Sequence, residues 1–410
     1  MFRLLSINLL LFTTLSSQAG EFTGTLRVIP EYHSGYRESS FFVPEPFHEF
    51  NHYRSRQEFE GHYQHGGFNL LASAIMTQLE NTKPDYDTIL NELYYDTEIA
   101  GQELSFGKKI MSWGVGYGFR PLDVVQREDR RLLYSSTLEG VPLIAWDYFA
   151  DNGDAFTLAY INPLRGQNDD HLDEESLAMK YYSLWDNIDV HAVARLSKHN
   201  KGEAGLGFAH VVNDALEWHG SVLYQYRYHK RLNRLTEQGS PILATDNPMQ
   251  QNVFNHGINA LLGFTWTHSS GLSLLSEVWF DESAYSKTQW DNLRQLTQSQ
   301  LRQLETGTVP EAAIYNNIGA SSQFFSQPNL LQQNLLLRLS HDGETTDTAL
   351  DWLYTPEEGG WVLTASLKHE RNRQNFELGL RTFGGSADSA YSAVPEDLMI
   401  YLSWQLAFSI

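Results

Sequence analysis

Two histidines, His191 and His219, each lie two residues from a carboxylate, Asp189 and Glu217, on segments that alternate polar with apolar residues. Imidazole beside carboxylate is a donor set for a metal ion or a general base. Four such groups converge only if neighbouring registers align, and the spacing does not dictate that. No metal site is therefore assigned. No serine, histidine and acid stand in a grouping that marks a nucleophilic centre, so neither catalytic residues nor a cofactor are expected. The chain has no cysteine, which removes thiolate ligands and disulfides together. Its formal charge of -21 argues against nucleic acid as a partner.

The remaining polar chemistry is that of charged rows. Arg54, Arg56, Glu58, Glu60 and His62 occupy every second position of one segment, and Glu92, Asp96 and Glu98 share one side of another. Asp189, Arg195, Glu217, Arg227, Glu277, Asp281, Arg338, Asp351, Glu377 and Arg381 continue the pattern further along the chain. A second group is compact: the run from Phe106 to Pro121 places Lys109, Trp113, Tyr117 and Arg120 among alternating glycines, followed by Asp123, Arg127, Arg130 and Arg131. Glycines at that spacing let a backbone fold against a wall or cross a narrow space. Arg120, Arg127, Arg130 and Arg131 would supply positive charge, with Glu92, Asp96 and Glu98 as the opposing stripe.

Period-two alternation identifies the elements that carry these rows as strands. In 188–196, Ile188, Val190, Ala192, Ala194 and Leu196 make one face and Asp189, His191 and Arg195 belong to the other. In 397–410, Leu398, Ile400, Leu402, Trp404, Leu406, Phe408 and Ile410 alternate with Tyr401, Ser403 and Gln405. Strands are predicted at 22–33, 53–64, 67–80, 87–99, 102–111, 140–150, 154–162, 175–185, 187–198, 203–213, 215–229, 253–267, 271–282, 331–341, 346–355, 360–370, 374–383 and 396–409. That is about 18 strands, with 16 as the alternative count. Links after even-numbered strands are short and rich in Asn, Asp and Gly, as tight hairpins require. Links after odd-numbered strands are mostly long. A soluble sandwich also alternates, but this regular exchange of short and long links belongs to a membrane barrel. The expected fold is all-β: a single antiparallel transmembrane β-barrel over residues 20–410, with short periplasmic turns and long extracellular loops. Aromatic residues at 13% suit two interface girdles.

The N-terminus reads Met1-Phe2-Arg3, a largely apolar run from Leu4 to Leu15, and Ser16-Ser17-Gln18-Ala19. This predicts a signal peptide over 1–19, Sec-dependent export and cleavage after Ala19. The stretch Gly107-Lys108-Lys109 with Trp113-Gly114 resembles, over about 15 residues, a motif of Gram-negative outer-membrane porins of the alginate-export-like kind. In those porins Gly-Arg-Gln is followed by an aromatic residue and Gly on the way into a loop near the lumen. Lys stands here where that family has Arg and Gln. The closing strand resembles the assembly signal of outer-membrane proteins through Trp404, Leu406 and Phe408, although the last residue is Ile410 and not Phe or Trp.

These readings predict a channel in the outer membrane of a Gram-negative bacterium for passive passage of hydrophilic or charged small solutes, with 112–139 as candidate constriction and facing charged rows lining the pore. The expected partners are outer-membrane lipid and lipopolysaccharide, the barrel-assembly machinery during biogenesis, the solute, and further copies in a homotrimer. A structural, exporting or partner-sheathing barrel is the alternative, and an outer-membrane hydrolase the third reading. In the link 283–330, Trp290, Leu293, Leu296, Leu301 and Leu304 follow roughly helical spacing, predicting a short helix on the outside face, an exposed loop helix as the first reading and a cap on or in the mouth as the alternative.

Overall fold

A computed structural model describes residues 20–128, 131, 133–134, 137–162, 174–307 and 309–409. The predicted signal peptide, Arg130 and Ile410 lie outside the described residues. Among the described residues 18 strands follow in order: β1 (Glu21–Gly35), β2 (Tyr53–His65), β3 (Phe68–Leu79), β4 (Asp85–Ile99), β5 (Gln102–Lys109), β6 (Val141–Phe149), β7 (Ala155–Ile161), β8 (Ser176–Trp185), β9 (Ile188–Ser197), β10 (Gly202–Asn213), β11 (Leu216–Asn233), β12 (Met249–Thr267), β13 (Leu272–Asp281), β14 (Gln333–Asp342), β15 (Thr346–Thr355), β16 (Gly360–Arg371), β17 (Gln374–Gly384) and β18 (Glu396–Ser409). Each pairs antiparallel with its neighbours in the chain. β1 also pairs with β18, from Thr23 opposite Ser409 to Gly35 opposite Glu396, so the sheet closes on itself. The count of 16 is thereby excluded.

Side-chain alternation decides which face is which. On β18, Leu402 is half-exposed while its neighbour Tyr401 is buried. Leu206, Ile258, Leu350 and Leu378 likewise face outward, whereas Arg195, Glu203 and Glu277 are buried inside. An apolar exterior around a polar interior is stable only where the exterior meets lipid. Trp218 and Trp266 face outward near the short-turn end, and Tyr53, Tyr86, Tyr224 and Tyr226 near the long-loop end. These aromatics mark the two interfaces.

The short-turn end is built from links as brief as two residues. Ala100 and Gly101 adopt φ of 53° and 77°, and Asp186 and Asn372 adopt 54° and 55°, the left-handed conformation that a tight hairpin of right-twisted strands requires. At the other end β11 and β12 extend to Asn233 and back to Met249, beyond the expected bounds at 229 and 253. Pairing continues there from Lys230 opposite Asn252 to Asn233 opposite Met249.

The link between β13 and β14 departs furthest from expectation. It forms two helices, α1 (Lys287–Thr306) and α2 (Glu311–Ser321), the first started by a capping box between Ser286 and Gln289. α1 is not an exposed surface helix. Trp290 and Leu293 are fully buried against Phe41, Phe324, Leu331 and Tyr391 in a core over the barrel mouth. The Trp290 ring stacks on Phe41 and Phe324, and its Nε1–H donates to the Asp388 carbonyl at 2.9 Å. The links 36–52 and 385–395 supply the other half of this core, which a one-dimensional periodicity does not reveal.

Candidate functional site in the bore

The segment linking β5 to β6, residues 110–140, turns inward. Its root is fixed by polar groups of β4. The Ile110 N–H donates to Glu92 at 2.9 Å and the Gly140 N–H to the Asn91 carbonyl at 2.8 Å. A register shift between Leu71 and Ala72 accompanies the burial of Asn91, whose amide donates to the Leu138 carbonyl and whose Oδ1 accepts from Ser73. Lys109 pairs with Asp96 at 3.0 Å and lies over the Tyr94 ring. Glu92 and Asp96 thus hold the loop's root instead of forming a free acidic stripe, while Glu98 is exposed.

Beyond the root the loop braces itself. The buried Asp123 carboxylate accepts from the N–H groups of Trp113 and Gly114, both at 2.6 Å, and pairs with Arg120 at 3.0 Å. Arg120 also donates to Glu128 and to the Gly114 carbonyl. Backbone bonds to an ionised carboxylate are among the stronger hydrogen bonds, and here they fold the chain back on itself.

The apex reaches the wall at β13. Tyr117 and Gly118 both donate their N–H to Glu277 at 2.6 Å, and Phe119 stacks on Trp279. β5 and β13 stand eight strands apart around an 18-stranded ring, so the loop crosses the bore. The chain then turns along the β6–β11 wall, where Leu122, Val124 and Val125 are buried against Leu143, Ala145, Ala159, Ile161, Ala178, Val193 and Leu223. Gly205 and Gly207 of β10 make the notch for Leu122: a Cβ on either would come within 2.7 Å of its methyl groups. Arg195 is buried beneath this patch, donating to the Val124 carbonyl and the Ser176 hydroxyl and lying 3.5 Å from Glu203.

Further along, the Arg381 guanidinium donates to the Arg131 carbonyl, and Arg131 lies over the Trp279 ring. Tyr134 donates to Glu31 at 2.9 Å, and Thr137 donates to Glu60. Burial, with the Glu31 carboxylate beside it, pushes the Tyr134 hydroxyl up to about 12, which keeps it a donor at neutral pH.

The loop therefore seals one side of the bore with apolar contacts and leaves the other side hollow. A cavity of about 940 Å³ remains, lined at its inner end by Tyr117, Arg131, Tyr134, Arg338, Asp351, Glu377, Arg381 and Tyr401. Towards the mouth the lining becomes aromatic, with Phe41, Phe42, Phe47, Phe50, Tyr315 and Phe325. Arg338 is paired with Asp351 at 2.8 Å and lies over the Tyr117 ring at 5.0 Å.

Trp113, Tyr117, Arg120, Asp123 and Arg131 belong to this one loop and Lys109 to the end of β5 at its root; Trp113 is buried and Arg127 exposed. Arg54, Arg56, Glu58 and Glu60 face inward on β2: Arg54 lies 3.8 Å from Glu31, and Arg56 lies 3.3 Å from Glu58. Asp189 accepts from Tyr182, and Glu217 lies 3.8 Å from His219. Arg227 is half-buried on β11. His219 is bonded to Glu277, while His191 packs beside Tyr182, so the two histidines serve different neighbourhoods. Sequence reasoning missed Asn91, Leu122 and the aromatic mouth. It placed Glu277 on the inner face without seeing that the loop ends there.

A closed 18-stranded antiparallel barrel with a loop infolded from one strand link is the architecture of outer-membrane porins. Comparison of folds gives particular neighbours among solved structures. Acinetobacter baumannii OccAB1 aligns with a TM-score of 0.60 at 7% identity over 95% of this chain and 97% of that one. Pseudomonas aeruginosa OpdL gives 0.56 at 10% identity over 95% and 99%. Pseudomonas aeruginosa OccK8 (OprE) gives 0.55 at 9% identity over 96% and 100%. No family model matches the sequence, and no curated protein matches it. The likeness is one of fold, with Occ and Opd barrels among the neighbours, and it lends the alginate-export-like resemblance of the short motif no support.

Proposed function

We propose that this chain is a channel in the outer membrane of a Gram-negative bacterium, passing hydrophilic or charged small solutes by diffusion. The observation that carries this reading is the crossing loop: it obstructs the bore on one side only and leaves a polar, charge-lined cavity beside it. A wall of paired arginines and carboxylates favours solutes that exchange hydration for hydrogen bonds and disfavours apolar ones. Residues 112–139 are the constriction, with Tyr117 and Arg131 on the open side facing Arg338, Glu377 and Arg381. The neighbours are channels and not enzymes, in keeping with a barrel that performs no covalent chemistry.

Planar-bilayer recording tests the proposal. Purified, folded barrel should give steady single-channel steps, and liposomes containing it should admit small hydrophilic solutes. Silence from barrel that retains its folded, heat-modifiable mobility would favour the scaffold or exporter reading. Two partner readings accompany the channel. Outward Leu402, Trp404, Leu406 and Phe408 on the last strand support handling by the barrel-assembly machinery. Association with further copies, as in a homotrimer, is supported at β2, where Gln57 faces outward between Tyr53 and Tyr63, a polar side chain at the depth of the lipid.

A further inference from the structure

Glu277 on β13 is a carboxylate with no solvent exposure inside a barrel whose bore is otherwise hollow on that side of the loop. Its two oxygens are spent on three donors. Tyr117 N–H reaches Oε1 and Gly118 N–H reaches Oε2, both at 2.6 Å, and His219 Nε2 lies 2.8 Å from Oε1. The surroundings are cut to fit this grouping. A Cβ on Gly263 would stand 2.6 Å from His219 Nε2 and 2.7 Å from the Glu277 Cγ, so the position directly across on β12 must be glycine for the pair to meet. A Cβ on Gly118 would stand 3.1 Å from Glu277 Oε2 and 2.7 Å from a Leu336 methyl, so the loop also approaches as bare backbone.

The other contacts of the loop do different work. Glu92 and Asn91 fix its root, Asp123 and Arg120 brace it internally, and Leu122 holds the returning limb on the far wall. Phe119 on Trp279 is a stack, which tolerates sliding. Two parallel backbone bonds to one carboxylate fix both position and orientation.

We propose that Glu277, oriented by His219, is the positioning residue that pins the loop apex to the wall opposite its root and so sets the width of the charge-lined cavity beside the loop, which Tyr117 borders. The second part rests on the reading of this loop as the constriction. Glu277→Gln keeps the side chain's volume but turns an NH₂ group toward a backbone N–H, donor against donor.

The experiment compares hydrogen–deuterium exchange at Tyr117 and Gly118 with single-channel current, in full-length barrel whose folded mobility matches the unaltered protein. Asp214→Asn, at an exposed carboxylate in the short turn between β10 and β11, serves as control. Exchange at the two amides should accelerate by about ten- to hundredfold in Glu277→Gln, with larger or noisier current steps, while Asp214→Asn leaves both unchanged. Unchanged exchange overturns the pin. Faster exchange with unaltered current overturns the link to passage width, and with it the constriction reading, while leaving the pin in place. Should Glu277→Gln fail to fold, His219→Gln, which removes only the orienting imidazole, is expected to accelerate the same two amides by a smaller factor, and no acceleration there overturns the proposal.

Discussion

Replacing Leu122 by alanine is a direct test of how the loop is seated. Leu122 is fully buried, with its methyl groups in the notch left by Gly205 and Gly207 and its flanks against Leu223. A buried Leu→Ala change costs about 2.7–5 kcal/mol, the larger values where the surroundings cannot close in. Here the notch is strand backbone held on both sides by paired strands, with Gly205 between Val193 and Leu223, so it cannot collapse. About 3–4 kcal/mol is therefore expected. Because the barrel ladder does not depend on Leu122, the loss falls on docking of the loop, and the undocked population should rise by roughly two to three orders of magnitude. Amide exchange over 120–126 reads this directly, and current recordings should show brief added fluctuations. Gly207→Ala in the same background should recover part of the protection by filling the space from the other side. If Leu122→Ala leaves exchange over 120–126 unchanged, the returning limb is held by something other than this contact and the reasoning fails.

Trp290→Ala should remove the centre of the mouth core while sparing the barrel, since its ring contacts with Phe41, Phe324 and Phe325 and its bond to the Asp388 carbonyl all go to links between strands. A cost of about 3–5 kcal/mol confined to the cap predicts rapid protease nicking between 287 and 321 with the barrel fragments still associated. The Glu174 carboxyl is raised by burial, but bonds from Ser197 and from the His199 and Asn200 N–H groups, with Arg195 nearby, outweigh that and leave it below the usual range. A lowered folded value means the stabilisation is complete above the ordinary carboxylate value and is lost as pH falls through the lowered one. Protection at His199 and Asn200, corrected for intrinsic exchange, should therefore decline below about pH 4.5 and become pH-independent in Glu174→Gln.

The barrel was legible because each strand repeats a two-residue rule that lipid on one side and water on the other enforce locally. Tyr401 and Leu402 suffice to orient β18, and the hairpin chemistry at Ala100-Gly101 or Asp186 punctuates the rest. What the sequence withheld concerns contacts between distant parts. Val193 breaks the polar alternation of β9 because it meets Leu122, more than 60 residues earlier in the chain. Glu92 and Asp96 look like a lumen stripe until the loop returns over them and engages the first at Ile110. Phe41 and Phe47 have no period of their own, because Phe41 packs with Trp290 of α1 and Tyr391 of the 385–395 link, and Phe47 stacks on Tyr315 of α2.

The tie between Glu277 and the loop apex also bears on the order in which the molecule is made. Eight residues separate Lys109, at the end of β5, from Tyr117, a reach of at most about 29 Å. Around the wall the same two points are eight strand spacings apart, roughly 38 Å even measured at right angles to the strands. An unrolled sheet therefore cannot make the contact, and only a curled one brings β13 within range across the bore. Tyr117 and Glu277 meet only as the nascent sheet rolls up, which makes their contact a marker in time for the ring that β1 and β18 complete.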